Sequence, residues 1–207
     1  MESDQAKVNK MYTLKKKSMN LFKKVLYVDV ETTGLEAGKH GIIQLAALME
    51  IGGEVVDSFE MKFQPHNGAE IDLEALKVNG TDPVELKSRT TSSDAYREFV
   101  RFLDKHISKF DRADKAYPAG YNVPFDLEFL EFWFRHHGSK YGTGSYHNWK
   151  ALDPLPVLRI WDYKGLLALP DYKLATVCEY FGIHHRAHDA LSDITATRVM
   201  LTDLLGD

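Results

Sequence analysis

Three runs of mostly apolar residues in the first third of the chain predict β-strands. They cover residues 24–30, 42–51 and 54–65 and are rich in Val, Leu, Ile, Phe and Tyr, residues that strands favour. The second and third runs are joined by Gly52 and Gly53, a dipeptide typical of a two-residue hairpin turn. We therefore expect the first three strands to form an antiparallel meander.

Further along the chain, apolar residues recur every three or four positions, which predicts helices. The best example covers residues 91–110, with Ser93 or Asp94 as its expected N-cap. Its apolar stripe consists of Tyr96, Phe99, Val100, Leu103 and Ile107. Further helices are predicted over residues 71–80, 124–138, 174–183 and 190–205, with a short strand over residues 116–122 and a loop over residues 138–150. This order of elements predicts an α/β fold in which a mixed sheet is flanked by helices.

Length and composition are those of an ordinary globular domain. The chain has 207 residues, of which 44% are hydrophobic and 27% charged, enough to bury a full core. Lysines are concentrated at residues 15–17 and 23–24, so we expect a polar, Lys-rich lead-in over residues 1–22 and a single domain over residues 23–207. The net charge of −4 argues against nucleic-acid binding by the whole surface but is compatible with a local basic groove.

The single cysteine, Cys178, excludes an internal disulfide framework and favours a cytoplasmic location. It lies in a short apolar run with helical spacing, so we interpret it as a core residue rather than a nucleophile. No apolar stretch approaches the length of a membrane-spanning helix. We expect neither membrane association nor a secretory signal.

Two acidic residues stand at the end of the first predicted strand, in the stretch VDVETTGL at residues 28–35. Because alternate side chains of a strand point to opposite faces, Asp29 and Glu31 share one face. Two carboxylates near a buried strand end repel each other and lose hydration, and a divalent cation is a common compensation. The other interpretation is an exposed strand end at which both acids contact water. This stretch alone leaves both interpretations open.

Two further acids lie near predicted helix starts. Asp126 falls in the first turn of the helix at 124–138, where it would also complement the helix dipole. His188 and Asp193 are five residues apart, about 140° of rotation on a helix, so they converge only if His188 lies on the preceding loop. Asp189 supports such a break because it is a good N-cap residue; Asp189 and Asp193 as a ligand pair is the less favoured alternative. Four other histidines are interpreted as ordinary solvent-exposed residues: His136, His137, His184 and His185.

Three blocks of the sequence, VDVETTGL, GYNVPFDLEFL and HRAHDALSDI, together resemble the three motifs of the DEDDh exonucleases. The chain most resembles the DnaQ-like branch, which includes the proofreading subunit of bacterial DNA polymerase III, and the resemblance covers roughly residues 25 to 205. It implies a ribonuclease H-like fold and stepwise 3′→5′ removal of nucleotides. It further implies DNA, preferably single-stranded, as the substrate, nucleoside 5′-monophosphates as the products, and two bound Mg²⁺ or Mn²⁺ ions as cofactors.

The resemblance also implies a role for each candidate residue. Asp29, Glu31 and Asp193 would hold one ion, Asp29 would bridge to the second, and Asp126 would bind that second ion directly or through water. His188 would be the general base. The chemistry agrees with these roles, because carboxylate oxygens suit Mg²⁺ and Mn²⁺ and a histidine titrates near neutral pH.

Contacts with the terminal nucleotide are implied for a further set of residues, namely Thr33, Gly34, Leu35, Glu74, Asn79 and Asn122. Relatives often have Glu where this chain has Gln44, and His where it has Asn79. The resemblance therefore supports the catalytic chemistry more directly than it supports a particular substrate. Asp153 resembles a frequently seen acid outside the metal shell, and we interpret it as structural. The expected partners are the 3′ end of DNA, with RNA as an option, and a DNA polymerase or another replication or repair protein.

Two alternative functions stay open. One is a 3′→5′ exoribonuclease of the oligoribonuclease or RNase T kind, although Thr32 occupies a position where oligoribonucleases usually have Met. The other is a catalytically silent protein that binds nucleic-acid ends or serves as a polymerase scaffold. The second alternative is disfavoured because every expected acid and the expected base are present.

Overall fold

The computed structural model of the chain describes residues 23–186 and 189–205, with side chains to Leu204. The Lys-rich segment 1–22 lies outside the described residues, so the proposed division between a lead-in and a single domain stays a prediction. None of the helices within the described ranges is long and apolar enough to cross a membrane.

The core of the fold is one four-stranded mixed sheet in the order β3-β2-β1-β4. Its strands are β1 (Lys24–Thr32), β2 (Ile42–Ile51), β3 (Glu54–Lys62) and β4 (Tyr117–Ala119). The first three strands form the predicted antiparallel meander, and β4 pairs with β1 in parallel. The predicted α/β fold with a mixed sheet flanked by helices is confirmed. The fourth strand has only three residues, which proves important for the site.

The helices are α1 (Leu73–Val78), α2 (Pro83–Leu86), α3 (Ser92–His106), α4 (Pro124–His136), α5 (Pro154–Tyr163), α6 (Leu174–Phe181) and α7 (Ala190–Leu205), with a 3-10 turn at Gly142–Ser145. The predicted N-cap of α3 is wrong by two or three residues, because Thr91 accepts the hydrogen bond from the Asp94 amide. Helix α5 was not predicted at all. It is capped by Asp153, whose carboxylate accepts from the Leu155 amide and also from the Asn122 amide at 3.1 Å, so the structural interpretation of Asp153 is confirmed.

One face of the sheet packs on an aromatic core built by α3 and α4. Trp133 of α4 stacks on Phe63 at a centroid distance of 5.3 Å, and its indole N–H donates to Ser92 Oγ at 2.7 Å. His137 lies beside them with Nε2 3.0 Å from the same hydroxyl, and burial lowers its pKa to about 4. The interpretation of His137 as an ordinary exposed histidine is therefore wrong: it is part of this packed face.

The opposite face of the sheet is covered by α7, which crosses β1 and β2. The contact uses small side chains, with Ala46 and Ala190 both fully buried beside Ile194. Small residues let the helix backbone approach the strands closely. Arg198, in the middle of the helix, donates from Nε to the carboxylate of Glu50 at 2.6 Å and so ties the helix to β2. The N-terminal turns of α7 therefore lie over the carboxyl end of β1.

Candidate active site

Asp29 and Glu31 stand on the sheet face that α7 covers. In the register of the meander, Asp29 lies opposite Ala46 and Glu31 lies opposite Gln44, so both carboxylates project toward the helix as strand alternation predicts. The alanine opposite Asp29 leaves room above it. The register then shifts between Glu31 and Thr32, and such irregularities re-aim side chains at the end of a strand.

Asp126 reaches the same region from the start of α4. Strand β4 pairs with β1 only as far as Ala119 and Tyr27, so the Val30 amide further along β1 has no strand partner on that side. The Asp126 carboxylate accepts that N–H at 2.9 Å, and Asp126 is only 4% exposed. The short fourth strand thus makes room for a carboxylate beside Asp29.

Asp193 completes the group from the first turns of α7. Asp189 caps this helix by accepting from the Ser192 amide at 3.0 Å, which confirms its predicted role. The possible ligand atoms of Asp29, Glu31 and Asp193 all lie within 4.8 Å of one another. The structure therefore brings three of the four predicted acids into one cluster and places the fourth, Asp126, next to it.

Carboxylates so close together resist ionisation. Burial raises the pKa of Asp29 well above its ordinary value, and the charges of Asp126 and Asp193 raise it further. Burial, followed by the charge of Asp193, raises the pKa of Glu31 to about 7, while Lys62 lowers it. Burial also raises the pKa of Asp126. Without a metal ion, these crowded carboxylates are unfavourable in their ionised form. Their oxygen atoms are the hard donors that Mg²⁺ and Mn²⁺ prefer.

A histidine that the sequence did not single out also enters the site. His185 Nε2 lies 2.7 Å from Asp193 Oδ1, and its side chain is only 7% exposed. The interpretation of His185 as a solvent-exposed loop residue is therefore wrong, whereas His184 is exposed as expected. His188, the predicted general base, lies outside the described residues, and its role stays a prediction.

The residues predicted to contact nucleic acid occupy very different environments. Thr33 is fully buried; its hydroxyl donates to the Glu70 carbonyl at 2.6 Å and accepts from the Gly41 amide at 3.0 Å. Thr33 therefore shapes the loop after β1, and a direct contact with nucleic acid is not supported by its position. Leu35 is 80% exposed on that loop, as a contact residue should be.

Gly34 is required by the packing of the protein itself. A Cβ atom at this position would lie 2.2 Å from the imidazole of His40, far inside van der Waals contact. The ring of His40 therefore occupies the space that a side chain would need. The role predicted for Gly34, a close approach of the backbone to substrate, stays a prediction.

The other three predicted contacts lie around the same end of the sheet. Glu74 is exposed on α1. Asn79 ends that helix, and its side-chain amide donates to the Thr32 carbonyl at 3.1 Å, which ties α1 to the end of β1. Asn122 is exposed in a left-handed conformation with φ of 57°, which Asn tolerates better than most residues. Their contacts with nucleic acid stay predictions.

Comparison with known proteins agrees with this geometry. The RNase T family model, described as an exonuclease, matches residues 26–199. The chain belongs to this exonuclease family. The predicted resemblance to DnaQ-like exonucleases is confirmed, and enzymes of this family depend on divalent metal ions.

Relatives of this exonuclease come from two kinds of protein. It is 30% identical over 185 residues to the PolC-type DNA polymerase III of Halalkalibacterium halodurans, covering 86% of this chain and 11% of that one. It is 26% identical over 187 residues to ribonuclease T of Photorhabdus laumondii, covering 86% of this chain and 82% of that one. The exonuclease thus spans about a tenth of the length of the PolC relatives.

Solved structures show a shared fold. Escherichia coli exonuclease I in complex with a dT13 oligonucleotide superposes with a TM-score of 0.73 at 22% identity, covering 89% of this chain and 41% of that one. The zinc-bound form of the complex of exonuclease I with single-stranded DNA gives a TM-score of 0.72 at 21% identity, covering 89% of this chain and 41% of that one. At this identity the likeness supports the ribonuclease H-like fold alone.

Proposed function

We propose that the exonuclease removes nucleotides one at a time from the 3′ end of DNA, preferably single-stranded, and releases nucleoside 5′-monophosphates. The observation that carries this proposal is the convergence of Asp29, Glu31 and Asp193 within 4.8 Å, with Asp126 held beside them by the Val30 amide. We propose two Mg²⁺ or Mn²⁺ ions as cofactors, the first held by the three clustered acids and the second by Asp29 and Asp126.

The donor set fits those ions in kind and in charge. When bound, the two cations stabilise charge on the attacking and leaving oxygens and make a bound water more acidic. Four ionised carboxylates carry a charge of −4, which two divalent cations neutralise. A phosphodiester can then approach without meeting the net repulsion of the bare acidic cluster. The carboxylates thus have to be ionised and close together, and burial under α7 keeps them close.

The remaining roles fall to residues around the cluster. His188, on the chain just before α7, would accept the proton of the attacking water as the general base. The exposed side chain of Leu35, on the loop that follows Glu31, offers an apolar surface on which the terminal base can pack. Asn122 and Glu74 lie at the same end of the fold and would contact the nucleotide at its sugar or base.

RNA trimming is the second candidate function. It is favoured by one observation: ribonuclease T is matched over 82% of its length, whereas the PolC-type polymerases are matched over about a tenth of theirs. DNA is preferred because those polymerases recur among the relatives. We accordingly propose a DNA polymerase or another replication or repair protein as a partner and the cytoplasm as the location. A silent end-binding or scaffold role is disfavoured because the acids converge.

The test is digestion of single-stranded DNA, double-stranded DNA and RNA side by side, each labelled at the 5′ end or the 3′ end. Each substrate is incubated with Mg²⁺, Mn²⁺ or EDTA, and the released products are identified by chromatography. We expect 3′→5′ shortening of single-stranded DNA with either metal and none in EDTA. Cleavage that persists in EDTA, or shortening from the 5′ end, contradicts the mechanism; faster digestion of RNA selects the second candidate.

A further inference from the structure

We propose that His185 is a positioning residue that fixes the Asp193 carboxylate for metal binding. This inference rests on the proposed function, since it concerns a ligand of the proposed metal site. His185 is the first residue of the block HRAHDALSDI, but the resemblance assigned it no role. The structure indicates one, because it buries the imidazole directly against one of the clustered acids.

The contact itself defines which atom donates. His185 Nε2 lies 2.7 Å from Asp193 Oδ1, with the two side chains 7% and 15% exposed. An ionised carboxylate can only accept hydrogen bonds, so the imidazole must carry its proton on Nε2 and donate it. A carboxylate has about four lone-pair sites, so a hydrogen bond at one oxygen is compatible with metal binding by the same group.

The connection between α6 and α7 is anchored on both sides of His185. Before it, the Ile183 amide donates to the Cys178 carbonyl at 2.8 Å, following Gly182 in a left-handed conformation. After it, the Arg186 amide donates to Ser192 Oγ at 2.9 Å. With its neighbours tied to α6 and α7, the imidazole has little freedom to leave Asp193.

Asp193 lies among like charges. The negative charges of Asp29 and Glu31 push its carboxylate away from the cluster. A hydrogen bond from His185 opposes that push and sets the orientation of the carboxylate. Hydrogen-bonding partners of ligating groups characteristically tune metal affinity, and their loss costs about 10–100-fold.

The experiment measures Mn²⁺ binding without nucleic acid, from the electron paramagnetic resonance signal of free Mn²⁺. It compares wild type, His185→Ala, His185→Gln and His184→Ala, the last being a matched control at an exposed histidine next in sequence. We expect His185→Ala to weaken Mn²⁺ binding by about 10–100-fold. His185→Gln, whose side-chain amide can still donate, should recover most of the loss, and His184→Ala should bind as wild type does.

Activity at saturating Mn²⁺ separates positioning from proton transfer. His185→Ala should approach the wild-type kcat once the site is filled, and its kcat should keep the wild-type pH profile. Unfolding in EDTA is followed for each variant so that a folding defect is recognised. If His185→Ala is destabilised, the Mn²⁺ affinity of His185→Gln carries the test. Unchanged or tighter Mn²⁺ binding in His185→Ala, a His185→Gln variant as weak as alanine, or loss of a titrating limb from kcat overturns the proposal. If wild type itself binds no Mn²⁺, the proposed function fails, and this inference fails with it.

Discussion

The active site has two halves that the chain builds by different means. The strand half contains Asp29 and Glu31 on β1, with Asp126 tied to the same strand through the Val30 amide. The loop half contains Asp193 and the connection from α6 to α7, in which a side-chain hydrogen bond sets the carboxylate. Backbone pairing thus positions one half, and a few side-chain contacts position the other.

This difference has an energetic consequence. Asp126 is buried and Asp29 and Glu31 are half-buried, and burial is the main cause of the raised pKa values of all three acids. In the absence of metal they therefore oppose folding whenever they are ionised. We expect changes in the strand half to alter stability and chemistry together, and changes in the loop half to alter chemistry with little effect on stability.

The largest expected effect compares one acid from each half. Asp29→Asn and Asp193→Asn are nearly isosteric and each removes one charge from the proposed metal shell, so both should reduce cleavage to background. In EDTA, Asp29→Asn should raise the unfolding midpoint, because it removes a buried charge. Asp193→Asn should stay close to wild type or rise slightly, since the unpaired acids repel each other less.

Asp203→Asn supplies the control for both variants, because Asp203 is exposed near the far end of the helix that carries Asp193. It should leave both activity and stability unchanged. Near-normal cleavage by either Asp29→Asn or Asp193→Asn would show that the residue is not a ligand. Equal stabilisation of the two variants in EDTA would remove the proposed difference between the halves.

The next effect tests the proposal that His188 is the general base. His188→Ala should lower kcat by roughly 10² to 10⁴, the usual range for a positioned proton acceptor, while Mn²⁺ affinity changes little. The wild-type rate should rise with pH through the titration of a histidine, near about 6.5 if unperturbed, and this limb should vanish in the variant. His184→Ala is the control. Retention of most activity at neutral pH by His188→Ala contradicts the assignment.

A smaller effect concerns the pH dependence of stability in the strand half. Glu31 has a pKa of about 7 in the fold against 4.5 ordinarily, so between these values the folded state binds more protons than the unfolded state. The stability contributed by this group therefore falls as pH rises from about 4.5 to about 7. Glu31→Gln removes the penalty. In EDTA it should exceed wild type by on the order of a few kcal/mol at pH 8 and match it near pH 4.

Urea unfolding of both proteins across this pH range checks the sign. Titrating groups remote from Glu31, such as His137 with its lowered pKa, affect both proteins alike and cancel in the difference. Asp29 and Asp126, whose pKa values the Glu31 charge raises, add to the difference in the same direction. Saturating Mn²⁺ should reverse the order at pH 8, because the ion stabilises only the protein that keeps its full ligand set. A difference that does not change with pH would show that Glu31 is ionised normally in the fold.

The smallest effect sharpens the same measurement. Lys62 lowers the pKa of Glu31 and lies on β3, opposite Gln44, which in turn pairs with Glu31. Lys62→Met should therefore raise the pH at which the stability difference between Glu31→Gln and its parent stops growing. Lys150→Met, which removes the same charge at an exposed position, should not move it. An identical shift with Lys62→Met and Lys150→Met would mean that the pKa of Glu31 responds to the net charge of the protein and not to the position of Lys62.

The strand half could be predicted from the sequence because its determinants are local. Alternation fixes the common face of Asp29 and Glu31, and the Gly52-Gly53 turn fixes the pairing of β2 with β3 that puts Lys62 opposite Gln44. Asp126 was predicted from its motif alone. The reason for its position, the early end of β4, is a property of the assembled sheet and could not be seen in the sequence.

The errors have a common physical origin in contacts between distant segments. The hydrogen bond from the Thr33 hydroxyl to the carbonyl of Glu70, far along the chain, could not be seen in the sequence. His184 and His185 are adjacent and chemically identical, and only the path of the loop decides that one faces Asp193 and the other faces solvent. The N-cap Thr91 was missed because three candidate capping residues follow one another closely, and only the backbone geometry selects among them.

The hydrogen bond from Val30 to Asp126 also guides the choice of an inactive variant for trapping substrate. An apolar replacement of Asp126 would leave the Val30 amide without its hydrogen-bond acceptor. The free energy of unfolding would fall by about 1–3 kcal/mol, so the variant would represent the native protein poorly. Replacement of Asp193, on α7, leaves the hydrogen bond between Val30 and Asp126 in place. A complex with intact nucleic acid is therefore best sought with a protein inactivated by a substitution at Asp193. Asp126 is best kept, because its carboxylate joins α4 to the sheet.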